Sequence, residues 1–184
     1  MTAYPNIAST AAAPATVLHT ARLVIRHMTP GDAAFMLGLL NDPAWLQYIG
    51  DRGVRTLDEA RRYILDGPVA MVRRLGFGFH IVTLKESGVP IGVCGLAKRD
   101  YLDDVDIGYA IASPWRGEGY AHEAASAMLA HALDALKFKR IVATVRAENT
   151  ASIGLLHKLG LRCERAIAYP GSPPDLQLFA IETA

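Results

Sequence analysis

Between Asp106 and Leu136 the chain changes its hydrophobic period, and the change falls on a turn that holds two glycines. Asp106-Ile107-Gly108-Tyr109-Ala110-Ile111 reads as a strand, and Ser113-Pro114-Trp115-Arg116-Gly117-Glu118-Gly119 as the turn. From Tyr120 to Leu136, Ala121, Ala125, Met128, Leu129, Ala132, Leu133 and Leu136 recur at helical spacing and predict one apolar face. A strand that runs directly into a helix limits the chain to layered α/β architectures. It also leaves the N–H groups of the helix's first turn, at the positive end of the dipole, open to an anion. Gly117 and Gly119 permit positive φ and let the backbone approach a ligand with no Cβ between them. The interior Gly108 predicts a bulge or a close approach by a ligand.

Elsewhere the pattern alternates between the two periods. Arg22 to Arg26 predicts a first strand, Thr29-Pro30 starts a helix running from Ala33 to Leu40, and Asn41-Asp42-Pro43 ends it. Thr56-Leu57-Asp58-Glu59 has the form of a capping box opening a helix to about Leu65. Phe77 to Leu84 and Pro90 to Ala97 flank a polar glycine turn and predict a hairpin. Ile141 to Val145 is a β-branched strand, Thr150 to Leu159 a helix stopped by Gly160, and Leu161–Tyr169 and Leu176–Ile181 a closing hairpin. The expectation is one mixed α/β domain over residues 19–184, with helices on both faces of its sheet, behind a mobile tail over residues 1–18.

The chain's 184 residues suffice for one sizeable core, and a net charge of +1 gives no field favouring nucleic acid or an anionic membrane. Any anion must be held by a local site. Cys94 and Cys163 form no disulfide framework, and the six histidines show no metal spacing, so no metal is expected. The N-terminus lacks the basic and apolar regions of a signal peptide, and no run reaches the roughly 20 apolar residues of a membrane span. A cytoplasmic protein, monomer or homodimer, is expected.

Three phosphate-binding patterns compete for the glycine turn. A Walker loop needs Gly-Lys-Ser/Thr, but Gly119 is followed by Tyr120. The dinucleotide pattern needs a third small residue where His122 stands. What remains, Arg116-Gly117-Glu118-Gly119-Tyr120-Ala121, resembles the pyrophosphate-binding signature of the GNAT superfamily of N-acetyltransferases. Asn149-Thr150-Ala151-Ser152 and Leu159-Gly160-Leu161 resemble the Asn-x-x-Ser…Leu-Gly-Phe segment of the same superfamily, with Leu161 replacing the usual aromatic. Arg22-Leu23-Val24-Ile25-Arg26 and Pro90 to Leu96 resemble strands of the branch containing ribosomal-protein N-terminal (alanine/serine) acetyltransferases. The resemblance covers roughly residues 20–182.

It implies a mainly antiparallel sheet of about six to seven strands and acetyl-CoA as co-substrate, with a primary amine, on a small molecule or a peptide N-terminus, as acceptor. The amine would attack the thioester directly in a ternary complex. The turn from Arg116 through Gly117, Glu118, Gly119, Tyr120 and Ala121 would hold the pyrophosphate; Arg116 either adds charge there or caps nearby carbonyls. Ile107, Tyr109 and Ile111 would pair with the pantetheine arm, and a backbone N–H of that strand would meet the oxyanion. Asn149 would bind the pantetheine amide. Asp106 is the candidate base, with Glu123 a competing carboxylate. Ser152 is the candidate acid for the thiolate, with His157 near it on a helix that carries no tyrosine. The acceptor pocket is expected between the helices around 32–66 and the loop around 170–175, with Trp45, Tyr48 and Tyr63 as candidate aromatics there or, equally, as core residues. The alternative is a CoA-binding sensor without turnover on the same fold.

Overall fold

The structure is a computed structural model and describes residues 15–168 and 176–183. Its strands are β1 (Thr16–His19), β2 (Leu23–Arg26), β3 (Phe79–Leu84), β4 (Pro90–Lys98), β5 (Val105–Ile111), β6 (Arg140–Arg146), β7 (Arg162–Ile167) and β8 (Leu176–Glu182). They form a single sheet in the order β1-β2-β3-β4-β5-β6-β8-β7. Every neighbouring pair is antiparallel except β5 and β6.

The helices are α1 (Ala33–Leu40), α2 (Pro43–Tyr48), α3 (Leu57–Ile64), α4 (Ala70–Leu75), α5 (Tyr120–Ala130) and α6 (Thr150–Lys158). The capping box at α3 forms as the sequence predicts: Thr56 N–H donates to Glu59 Oε2 at 2.9 Å and Glu59 N–H to Thr56 Oγ1 at 3.3 Å. A π-helical stretch, Leu65–Val69, joins α3 to α4. Pro68 lies inside it and has no N–H to give, so a wider turn is tolerated there. A second such stretch, His131–Ala135, extends α5.

Two packed layers flank the sheet. On one face, Ala124, Ala125 and Met128 of α5 and Leu156 of α6 pack with Leu23, Ile25, Val82, Leu96, Ile107 and Phe179. The alanines bring α5 down onto the strands, and each fully buried leucine or isoleucine contributes about 1.5–3 kcal/mol. On the other face, Met36 and Leu40 of α1, Trp45 of α2 and Ala60 and Ile64 of α3 pack with Ile81 and Val93.

Three local expectations are corrected. Residues 16–18, assigned to a mobile tail, begin strand β1, which pairs with β2 through Leu18↔Ile25 and His19↔Val24; residues 1–14 lie outside the described residues. Asn41-Asp42-Pro43 ends α1 but also starts α2, because Asp42 caps the Ala44 N–H and Pro43 suits a first helical position. Gly108 marks no bulge. The β4–β5 register runs unbroken from Gly92↔Ile111 to Lys98↔Val105, and a Cβ at Gly108 would come within 2.8 Å of the Phe79 ring. Packing from the α1–α4 side, where Phe79 joins the core, excludes a side chain there.

Candidate functional site

The sheet opens between β5 and β6. These parallel strands are in register only at Val105↔Ile141 and Asp106↔Val142. Beyond that point β5 keeps β4 on one edge, while its other edge, from Ile107 to Ile111, has no partner strand among the described residues. Side-chain bonds from Asp106 and Tyr109 cross the opening. At its apex Thr144 N–H donates to Asp106 Oδ1 at 3.3 Å, so the aspartate accepts where a ladder carbonyl would. Farther along, Tyr109 Oη donates to the Ser152 carbonyl in the first turn of α6 at 3.2 Å. Burial raises the Tyr109 hydroxyl to about 12, so it stays a protonated donor.

The glycine turn lies at the mouth of this opening. Gly117 and Gly119 sit at φ +85° and +79°, the left-handed region that favours glycine, and α5 begins at Tyr120. Among the described residues the backbone N–H groups of Gly117 through His122 have no acceptor; the first α5 bond comes from Glu123 N–H to the Gly119 carbonyl. A run of outward amides at a helix's positive end is a cradle for phosphate oxygens.

Arg22, from the start of β2, braces the turn. Its Nη1 donates to the Glu118 carbonyl at 3.0 Å, its Nε to Glu123 Oε2 at 2.7 Å, and its guanidinium lies 4.4 Å over the Tyr120 ring. Thr20 and the Arg22 N–H also donate to Glu123. Burial opposes the charge on Glu123, but these bonds hold its carboxyl below the usual range, so it is fully engaged and unsuited to accept a substrate proton. The brace was not foreseen: Arg22 was read only as part of a strand, and its contact with Glu118 spans 96 residues of sequence. Arg116 lies at the near end of the turn. Its Nε donates to the Ile111 carbonyl at 2.8 Å and its Nη2 to Asp42 at 2.7 Å, clasping the end of β5 to the start of α2. Beside the turn, His19, Arg22, His122, Ser126 and Lys158 help line a broad groove of about 890 Å³.

The α1–α4 face of the apex is built differently. Asp106 is 3% exposed and accepts from Arg99 Nε at 3.0 Å. Burial pushes its carboxyl up, against the pull of Arg99. Tyr63, raised by burial, feels the opposing charges of Arg52 and Arg99. Trp45 is buried in the core and Tyr48 half-buried at the end of α2. Of the expected pocket, the loop around 170–175 lies outside the described residues.

At the start of α6, Asn149 Oδ1 accepts from Ser152 N–H at 3.1 Å, capping the helix and leaving its Nδ2 without a partner among the described residues. Ser152 Oγ likewise has none. His157 is exposed and stacks edge-on against Phe179 of β8 at 5.3 Å, on the far side of β6 from the opening. The structure thus gathers Asp106, Ile107, Tyr109, Ile111, Asn149, Ser152 and the glycine turn around one cleft and sets His157 apart. Among the described residues no helix is long and apolar enough to cross a membrane, and no group of three or more His, Cys, Asp or Glu side chains could hold a metal.

The family model for the acetyltransferase (GNAT) domain matches residues 22–162. The uncharacterized N-acetyltransferase p20 of Bacillus licheniformis is 30% identical over 148 residues, 80% of this chain and 83% of that protein. RimJ of Mycobacterium smegmatis, solved with a CoA disulfide, superposes with a TM-score of 0.73 at 26% identity, covering 87% of this chain and 81% of that one. RimL, a ribosomal alpha-N-protein acetyltransferase solved in complex with coenzyme A, shares the fold with a TM-score of 0.77 at 19% identity, over 91% of this chain and 98% of that one.

Proposed function

The chain belongs to the GNAT family of acetyltransferases, and from that premise we propose that it transfers the acetyl group of acetyl-CoA to a primary amine, on a small molecule or a peptide N-terminus, within a ternary complex. One observation carries the reading: the unpartnered amides of Gly117 through His122 stand at the mouth of a gap in the sheet whose β5 edge is also unpartnered. The residues present fit the co-substrate. Left-handed glycines leave room for phosphate oxygens against the backbone, and a Cβ built at Gly117 meets nothing within 4 Å. The free edge of β5 offers the hydrogen bonds that an extended, amide-bearing arm takes up as an added strand.

When bound, acetyl-CoA supplies a thioester carbonyl open to attack by a neutral amine. The amides of Gly117 to Ala121 hold the diphosphate, with Arg22 keeping the turn in shape. The β5 edge from Ile107 to Ile111 and Asn149 Nδ2 orient the pantetheine arm, and a β5 N–H donates to the carbonyl oxygen as it gains charge. Asp106 takes the amine's proton, through a water because the carboxylate is almost closed off, and its burial moves it towards the basicity this needs. As the C–N bond forms and the C–S bond breaks, Ser152 Oγ, free of other partners and opposite Tyr109 in the cleft, donates to the departing sulfur.

Thermal unfolding with and without acetyl-CoA tests the first step, with Gly119→Glu beside the wild type. A ligand at a hundredfold excess over its dissociation constant adds about 2.7 kcal/mol of stability. The wild type is expected to gain that stability and the folded variant to gain none, since its new side chain is strained at positive φ and puts a carboxylate in the anion cradle. A wild type whose midpoint ignores acetyl-CoA overturns the reading.

A further inference from the structure

Arg99 is a half-buried arginine used from one side only. It follows the end of β4, its side chain is 32% exposed, and Asp106 Oδ2 holds its Nε. Its two terminal nitrogens have no hydrogen-bond acceptor among the described residues. A guanidinium fixed at Nε and open at both ends presents a planar pair of donors, a fork that takes the two oxygens of a carboxylate side by side. Arg52, exposed and in no ion pair among the described residues, is a second cation whose charge acts with that of Arg99 on the Tyr63 hydroxyl. Most acidic side chains on this layer are already taken. Asp51 pairs with Arg55 at 2.5 Å, Asp58 with Arg61 at 2.6 Å, and Glu59 caps the start of α3. Asp100, exposed beside Arg99, makes no ion pair among the described residues.

We propose that the acceptor is an amine whose own molecule carries a carboxylate, held by the open end of Arg99 with Arg52 as the outer cation. This rests on the transferase reading above and names its substrate class. The same buried aspartate that faces the reacting amine fixes the plane of the arginine, so amine and carboxylate sites lie within the reach of one small molecule. A polycationic amine would meet the unpaired charge of Arg52 and the open donors of Arg99, neither of which accepts a hydrogen bond, and be turned away. The carboxylate can come from a free amino acid or from an acidic side chain beside a peptide N-terminus, and the test separates these sources.

Initial rates of thiol release from acetyl-CoA would be measured with the full chain on matched pairs. Glycine, β-alanine and 4-aminobutyrate are each set beside their amides, and the dipeptide amide Ser-Glu beside Ser-Gln. At least one carboxylate member is expected to exceed its neutral partner in kcat/KM by about tenfold or more; the amino-acid arm or the peptide arm identifies the source. That ratio is expected to shrink in Arg52→Gln and in Arg99→Lys, which keeps the charge but loses the fork, with KM for acetyl-CoA unmoved. Arg52 is exposed, so its variant stays informative if the Arg99 variant misfolds. Amides that react as well as acids, or a preference that survives both substitutions, overturn the proposal alone. Binding of acetyl-CoA without turnover of any amine overturns the transferase reading and this proposal with it.

Discussion

On one face of β5, Ile107 and Tyr109 turn towards α5 and α6; on the other, Asp106 and Ala110 turn towards the layer of α1 to α4. The first face borders a site made of backbone: unpartnered amides, positive-φ glycines and a bare strand edge. The second borders a site made of side chains, in which a buried carboxylate fixes an arginine beside a tyrosine. A backbone site constrains which residues cannot be present, so it tolerates side-chain changes around it. A side-chain site can change with one substitution, and this is where members of one fold diverge.

Removing the anchor of the second face should do the most damage. Asp106→Ala leaves the Arg99 guanidinium and the Thr144 N–H without their buried partner, and about 4 kcal/mol of stability is expected to go, measured by urea denaturation. A loss under 1 kcal/mol would mean that the pair does not hold the apex of the cleft.

Acid separates the layers next. His80, buried in β3 with its ring 5.0 Å from that of His27, is lowered by burial to about 4. The unfolded chain therefore binds a proton there, near pH 6.5, that the native state refuses until about pH 4. Stability is lost as pH falls through that window, by about 3 kcal/mol. On the opposite side Asp32, where burial is outweighed by bonds from Arg26 and Thr29, is lowered, so its contribution is lost only as pH falls below the ordinary aspartate range. Comparing urea midpoints at pH 7.5 and 4.5 for wild type and His80→Leu isolates the histidine. Equal acid losses in both proteins would refute its share.

The smaller effects probe the cofactor face. Tyr109→Phe deletes the bond to the Ser152 carbonyl and should cost about 1 kcal/mol of stability, read from the urea midpoint. Arg22→Gln loosens the glycine turn, so KM for acetyl-CoA should rise a few-fold with kcat little changed; a fall in kcat alone would argue against a bracing role.

The same contrast governs what could be read from the chain. Gly117, Gly119 and the small residues of α5 were legible because a tight turn and a close helix each exclude most side chains. Asp106, Asn149 and Ser152 stand out in the sequence only through the family resemblance, which gives no sign of their partners. Arg99 was passed over entirely, since an arginine after a strand carries no local pattern until the fold brings Asp106 beside it. Gly108 marks no bulge, and the packing constraint on it comes from Phe79 on β3, across the intervening β4, which no local pattern reveals. Strand β1 was hidden in a stretch rich in alanine and threonine, and its pairing shows only once β2 lies beside it.

A sheet joined at only two residue pairs between β5 and β6 is unfinished along its middle. Whatever lies in that gap becomes part of the fold, so occupancy and resistance to unfolding are one equilibrium seen from two ends. A ligand that binds along such a gap in the native sheet, and not in the unfolded chain, raises the resistance to unfolding as its concentration rises.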